Sequence, residues 1–144
     1  MKERAKELYF EGYVCAESIL KAAAEEGRVP EEYVRLATGF GQGMVSGCVC
    51  GALAGAQMVI GATHGRTDAG QDPTVCAEKA QFLVDQFKKT YRVTCCRALG
   101  GKLERGSPEQ KQACSEIVEH VAGILDGLLA ENPEKATAPW ALPS

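Results

Sequence analysis

Ala5, Leu8, Gly12, Cys15, Ile19 and Ala22 follow one another at alternating intervals of three and four residues. That spacing keeps them on one face and predicts an amphipathic helix from about Lys2 to Glu26, with Gly27 as its stop. Pro30 suits a first helical turn and opens a short second helix, "PEEYVRLATGF". The next stretch, "GFGQGMVSG", holds four glycines in nine residues. It argues against regular helix and permits positive φ angles. A third helix is expected from near Cys48 to Gly61 or His64, followed by the loop "GRTDAGQDPT". A fourth runs from Pro73 to about Tyr91, with Cys76, Ala80, Leu83, Phe87 and Tyr91 on one face. "RVTCCRALGGKLERGS" reads as a turn holding at most one helical turn. A fifth helix follows, capped by Ser107 with Pro108 in its first turn. Its apolar face carries Cys114, Ile117, Val121, Ile124 or Leu125, and Leu128.

Nowhere do β-branched residues alternate over a useful run, so no strand is predicted. The pattern describes an all-α protein, a single-domain bundle of four or five helices over 1–130. A tail over 131–144 contains three prolines and reads as extended or mobile.

Composition narrows the function classes. At 144 residues the chain is long enough for one real core. The net charge of -3 gives nucleic acid and anionic membrane surfaces no electrostatic footprint. Four Phe, four Tyr and one Trp leave few platforms for stacked bases. The N-terminal stretch lacks the apolar core of a signal peptide, and 49–62 is too short to span a bilayer. These readings exclude membrane insertion and place the protein in the cytoplasm.

Seven cysteines then change the picture. In a reducing compartment, static disulfides are not the default use of thiols, and an odd number cannot all pair within one chain. Metal binding, redox cycling and small core residues are the remaining uses. Cys15, Cys50 and Cys114 each fall on an apolar helical face, where free cysteine also serves as a small hydrophobe. Around Cys50, Gly47, Gly51 and Gly55 recur every fourth residue with Ala52 and Ala56 alongside. Glycine in a helix costs about 1 kcal/mol relative to alanine, so the series needs a reason. Close helix packing is one; space for a group bound at Cys50 is the other. In "TCCR", Arg97 beside Cys96 favours a thiolate by its charge. There is no C-x-x-C pair. His64 reads as a cap or surface residue and His120 as a boundary residue. The glycine loop lacks the G-K-[ST] ending of a phosphate loop.

Taken in order, "GYVCAESIL", "GFGQGM", "CGALAG", "TCCRALGG" and Cys114 resemble the C-GCAxxG-C-C family of redox-active proteins. The resemblance covers roughly residues 3–129, and its most specific piece is Cys50-Gly51-Ala52-Leu53-Ala54-Gly55. The family's name writes the first two letters of that motif in the other order. Matching positions make Cys15, Cys50, Cys96 and Cys114 the four family cysteines. Cys48, Cys76 and Cys95 are then extra thiols. The resemblance implies four thiols converging inside the bundle, with Gly51 and Gly55 making room for whatever they hold. A similar domain beside haem-binding segments has had an iron–sulfur cluster proposed for it. Covalent haem is not expected here, because the chain has no C-x-x-C-H.

Four functions compete on this reading. The first is electron transfer through an iron–sulfur cluster on four thiolates. The second is thiol–disulfide chemistry with a redox partner. A structural zinc in an all-cysteine site is the third. Last comes a helical interaction module with cysteines as core filler, in which the glycine face and Trp140 mark a homodimer surface. No Ser-His-Asp arrangement suggests an additional catalytic machinery.

Overall fold

The computed structural model describes residues 1–101 and 103–130; the proline-containing tail and Trp140 lie outside the described residues. Among the described residues six α-helices form: α1 (Lys2–Glu11), α2 (Cys15–Glu25), α3 (Gly51–His64), α4 (Thr74–Tyr91), α5 (Cys96–Gly100) and α6 (Pro108–Ala130). A 3-10 segment, Glu31–Phe40, links α2 to the glycine-rich loop. The described residues contain no β-strand, only an antiparallel bridge between Val49 and Cys95. None of the helices is long and apolar enough to cross a membrane, among the described residues. The all-α expectation holds, with more and shorter helices than four or five.

The extra helices have local causes. The expected helix from Lys2 to Glu26 is two helices, because Gly12 takes a left-handed conformation at φ 118°. Its N–H turns back onto the Leu8 and Tyr9 carbonyls, which closes α1. The chain restarts at Cys15, where the Glu17 carboxylate accepts the Val14 N–H at 2.9 Å. The other Glu17 oxygen accepts from Thr38 Oγ1 at 2.7 Å, tying the start of α2 to the 3-10 segment. The periodic face survives the break: α1 buries Ala5 and Leu8, and α2 buries Ala16, Ile19, Leu20, Ala22 and Ala23.

The third helix begins at Gly51, with Cys50 as its cap, rather than near Cys48. The residues before it are spent in a tight left-handed turn. Gln42, Gly43, Met44 and Val45 all have φ between 54° and 64°. For L residues this costs about 1–2 kcal/mol each, most for the β-branched Val45. The turn closes through the Cys48 N–H on Gly43 O at 2.8 Å.

α2 is central and packs on α1, α3, α6 and the 3-10 segment. Phe87, Leu8, Ile19, Leu20, Ile60, Leu83 and Leu125 are the largest fully buried side chains among the described residues. On α6 the inward choice is Leu125, while Ile124 is only partly buried. Ser107 caps α6 as expected, its Oγ accepting the Gln110 N–H at 3.2 Å. On α4, Lys79 shares the buried face with Leu83 and Phe87; its ammonium donates to Leu128 O at 2.7 Å.

Candidate functional site: a four-thiol cavity

Four segments bring sulfur to one place. Cys15 is the first residue of α2, Cys50 caps α3, Cys96 opens α5, and Cys114 lies in the second turn of α6. All four line one cavity of about 260 Å³. Tyr9, Gln42, Gly51 and Lys111 share its walls. Cys76 faces a separate cleft between α3 and α4. Cys48 and Cys95 are exposed. His64 sits at the end of α3 with Nδ1 2.8 Å from Thr63 Oγ1, and His120 packs edge-on to Tyr91; neither borders the cavity.

The glycines divide the work that the sequence left undecided. A Cβ on Gly51 would collide with the Cys15 sulfur and stand 2.7 Å from the Phe40 carbonyl. A Cβ on Gly55 would instead stand 2.6 Å from the Ala16 carbonyl, so Gly55 seats α3 against α2 and does not line the cavity. Gly47 lies outside the helix at φ 74°, against the Arg97 side chain. Space for a sulfur and close packing of backbones are both present, one turn apart.

Electrostatics at the cavity pull in two directions. Burial raises the proton affinity of all four thiols above its ordinary value, and that of Cys50, 6% exposed, is pushed up to about 12. Backbone N–H groups oppose it. Those of Gln42, Ala16 and Gly51 favour a Cys15 thiolate, and those of Leu53 and Ala52 favour one at Cys50. The positive ends of α2 and α3 act in the same sense. The Tyr9 hydroxyl donates to Cys114, and the Arg105 charge favours a Cys96 thiolate. Desolvation outweighs these donors, so the thiols rest protonated at neutral pH. A cation arriving in the cavity would reverse that balance, because it supplies the charge that burial withholds.

Sequence reasoning missed Tyr9, Gln42 and Lys111. Lys111 Nζ stands 3.9 Å above the centre of the Tyr9 ring. Tyr9 and Lys111 lie on α1 and α6 more than a hundred residues apart, and no local motif links them. Gln42 enters through the left-handed turn, whose glycines were visible but whose direction was not.

The model of the family described as "Putative redox-active protein (C_GCAxxG_C_C)" matches residues 13–128. The chain belongs to this family. No curated protein and no solved structure matches it. The family match spans Cys15, Cys50, Cys96 and Cys114, and leaves Tyr9 outside its limits.

The fit of a metal to this C-GCAxxG-C-C chain depends on its nuclearity. Among the described residues, no group of three or more His, Cys, Asp or Glu side chains is arranged to hold a metal ion. A single zinc, which needs sulfurs at about 2.3 Å in a tetrahedron, is not accommodated by the side chains as they stand. The thiols are instead spread around a void. Backbone N–H groups favour a thiolate at Cys15 and at Cys50, and four cysteine thiolates are the kind of ligand set that an iron–sulfur cluster takes.

Proposed function

We propose that this chain is a cytoplasmic redox protein whose working centre is the cavity bordered by Cys15, Cys50, Cys96 and Cys114. The observation that carries the reading is the convergence of four thiols, from α2, the α3 cap, α5 and α6, on one cavity. An iron–sulfur cluster is the occupant whose ligand set these residues match; when bound it supplies one-electron transfer. Cys15, Cys50, Cys96 and Cys114 would hold it. Gly51 leaves room for the Cys15 sulfur, and Gly55 supports the site by holding α3 on α2. The N–H groups of Gln42 and Ala16, and the Tyr9 hydroxyl, stabilise negative charge on sulfur. Apolar packing below Cys50 keeps water from that side.

A second reading is thiol–disulfide chemistry. It is favoured by one observation: Cys96 borders both the cavity and an outer cleft, so a cavity thiol has access to the surface. Two thiols would yield a disulfide, two protons and two electrons, taken by a partner disulfide.

The test is the visible spectrum of anaerobically purified protein, with iron, sulfide and zinc quantified in the same sample. Stoichiometric iron with charge-transfer bands is expected. Cys15→Ser, Cys50→Ser, Cys96→Ser and Cys114→Ser should each abolish the bands, and Cys76→Ser should keep them. A protein that stays colourless after anaerobic incubation with iron and sulfide would overturn the cluster. Four serine variants without a common defect would overturn the shared centre altogether.

A further inference from the structure

Two segments without an acidic residue meet beside Cys96. Asp and Glu are absent from 33–67 and from 86–103, in a chain that carries 19 of them. The parts that meet are the left-handed turn with its exit and the stretch that begins at Val93. The Cys50 N–H donates to Thr94 O at 2.7 Å, the Cys96 N–H donates to Cys48 O, and Val49 bridges Cys95. Apolar side chains gather on the same two segments. Val45 is 68% exposed, Met44 48% and Leu103 42%, and Val49 and Val93 are exposed as well. The turn that presents Met44 and Val45 is strained, since both take positive φ, and a β-branched residue there is an outlier. Within the described residues the Val45 side chain stays open to solvent, so burial does not offset the strain. A second surface laid over the turn would offset it.

Cys96 is also a wall between two spaces. On its inner side is the four-thiol cavity; on its outer side is a cleft of about 320 Å³ lined by Val45, Leu103, Arg97 and Arg105. Both guanidinium groups are held by hydrogen bonds. Arg97 Nη2 donates to Ser46 O at 3.3 Å, and its Nε would stand 3.0 Å from a Cβ on Gly47, so the side chain lies across that glycine. Arg105 Nη1 donates to Gln42 Oε1 at 2.8 Å. Both acceptors are neutral carbonyl oxygens, so neither bond cancels a charge. Among the described residues neither arginine has a carboxylate partner. Glu104, the nearest acidic residue in the sequence, does not line the cleft.

We propose that this rim is the docking face for a one-electron carrier protein with an acidic surface, which delivers electrons to the four-thiol centre past Cys96. The electron transfer rests on the proposed function; the choice of partner rests on the surface alone. Carboxylates of the carrier meet Arg97 and Arg105, and its apolar patch covers Met44, Val45 and Leu103. Met and Arg are favoured at such contacts, where Asp and Glu are scarce. Transient redox encounters need only a small contact. One electron leaves the reduced carrier and one arrives at the centre; no bond is made or broken. The field at the rim opposes that of the whole chain, whose net charge is -3. Steering of the carrier therefore comes from the rim and weakens with salt.

The face is mapped on the full chain, purified anaerobically, with two inert paramagnetic probes, hexacyanochromate(III) and hexaamminechromium(III). In proton–nitrogen correlation spectra the anionic probe should broaden the amides of 45–47 and 97–101 first, and the cationic probe should spare them. Arg97→Gln should weaken that broadening. Arg28→Gln removes the same charge beyond the far end of α2 and should leave it unchanged; the same spectra confirm that each variant folds. Broadening centred elsewhere, or undiminished in Arg97→Gln, would overturn the anionic docking face. The partner is tested by stopped-flow reduction with flavodoxin hydroquinone, an acidic one-electron carrier. The rate should decline with salt and fall roughly two- to fivefold in Arg97→Gln, the worth of one exposed charge contact. It should fall at least as far in Val45→Asp, which sets a like charge against the carrier, and Arg28→Gln should match the wild type. Dithionite should reduce every variant to the same extent. Rates indifferent to Arg97 and Val45, or no exchange in a protein that dithionite reduces, would overturn the acidic carrier. A protein that dithionite cannot reduce defeats the proposed centre alone, and the amide map still decides the face.

Discussion

Replacing Gly51 by alanine puts the packing of the cavity to a direct test. The new Cβ would overlap the Cys15 sulfur and stand 2.7 Å from the Phe40 carbonyl. The sulfur can rotate away, but only by leaving the Gln42 and Ala16 N–H groups. The carbonyl belongs to the backbone and cannot rotate at all without moving the 3-10 segment. Overpacking of this kind costs about 1–3 kcal/mol. Alanine also recovers up to about 1 kcal/mol of helix propensity. Gly61 in the same helix supplies the control, since a Cβ there meets nothing within 4 Å. Gly61→Ala keeps the propensity gain without the clash. The difference between the two variants therefore isolates the clash, and should be about 1–3 kcal/mol in favour of Gly61→Ala. Urea unfolding followed by far-UV circular dichroism measures it, provided the m-values agree. Alkylation of Cys15 should also quicken in Gly51→Ala. A Gly51→Ala protein as stable as Gly61→Ala, with Cys15 no more reactive, would refute the claim that α3 presses on the Cys15 sulfur.

Stability should fall on the alkaline side. The Cys50 thiol ionises near 9.0 ordinarily and at about 12 in the fold, so between those values the unfolded chain has lost a proton that the folded chain keeps. Unfolding is then favoured as pH rises, by at most about 1.4 kcal/mol per pH unit for one thiol; denaturant midpoints from pH 8 to 10.5 should decline, and Cys50→Ala should flatten the decline. Under native conditions iodoacetamide should label Cys48 and Cys95 first and Cys50 last, following their exposure; mass spectrometry of timed samples would expose any other order. Ser107→Ala removes the cap on the Gln110 N–H and should cost about 1 kcal/mol in the same unfolding assay; an unchanged midpoint would mean that another group caps α6.

The sequence by itself determined which parts are helical and which residues look inward. Leu83 and Phe87 on α4, and Ile117, Val121, Leu125 and Leu128 on α6, are buried as their spacing requires, because amphipathic periodicity is a local property that burial merely reads out. The proline and serine at the start of α6 were equally legible. The break at Gly12 was signalled by a glycine but hidden by a face that stays in phase through the turn. Four cysteines in family order could be named from the chain alone. Their convergence was implied by the family resemblance and not by any local spacing, since it depends on how α1, α2, α3, α5 and α6 pack. Tertiary structure alone decided that Gly51 serves a sulfur while Gly55 serves a backbone. It alone set Val49 across from Cys95 and brought Tyr9 to Cys114. Local spacing fixes which side of an element a residue occupies; which residue it then faces is set by the packing of elements far apart in the chain.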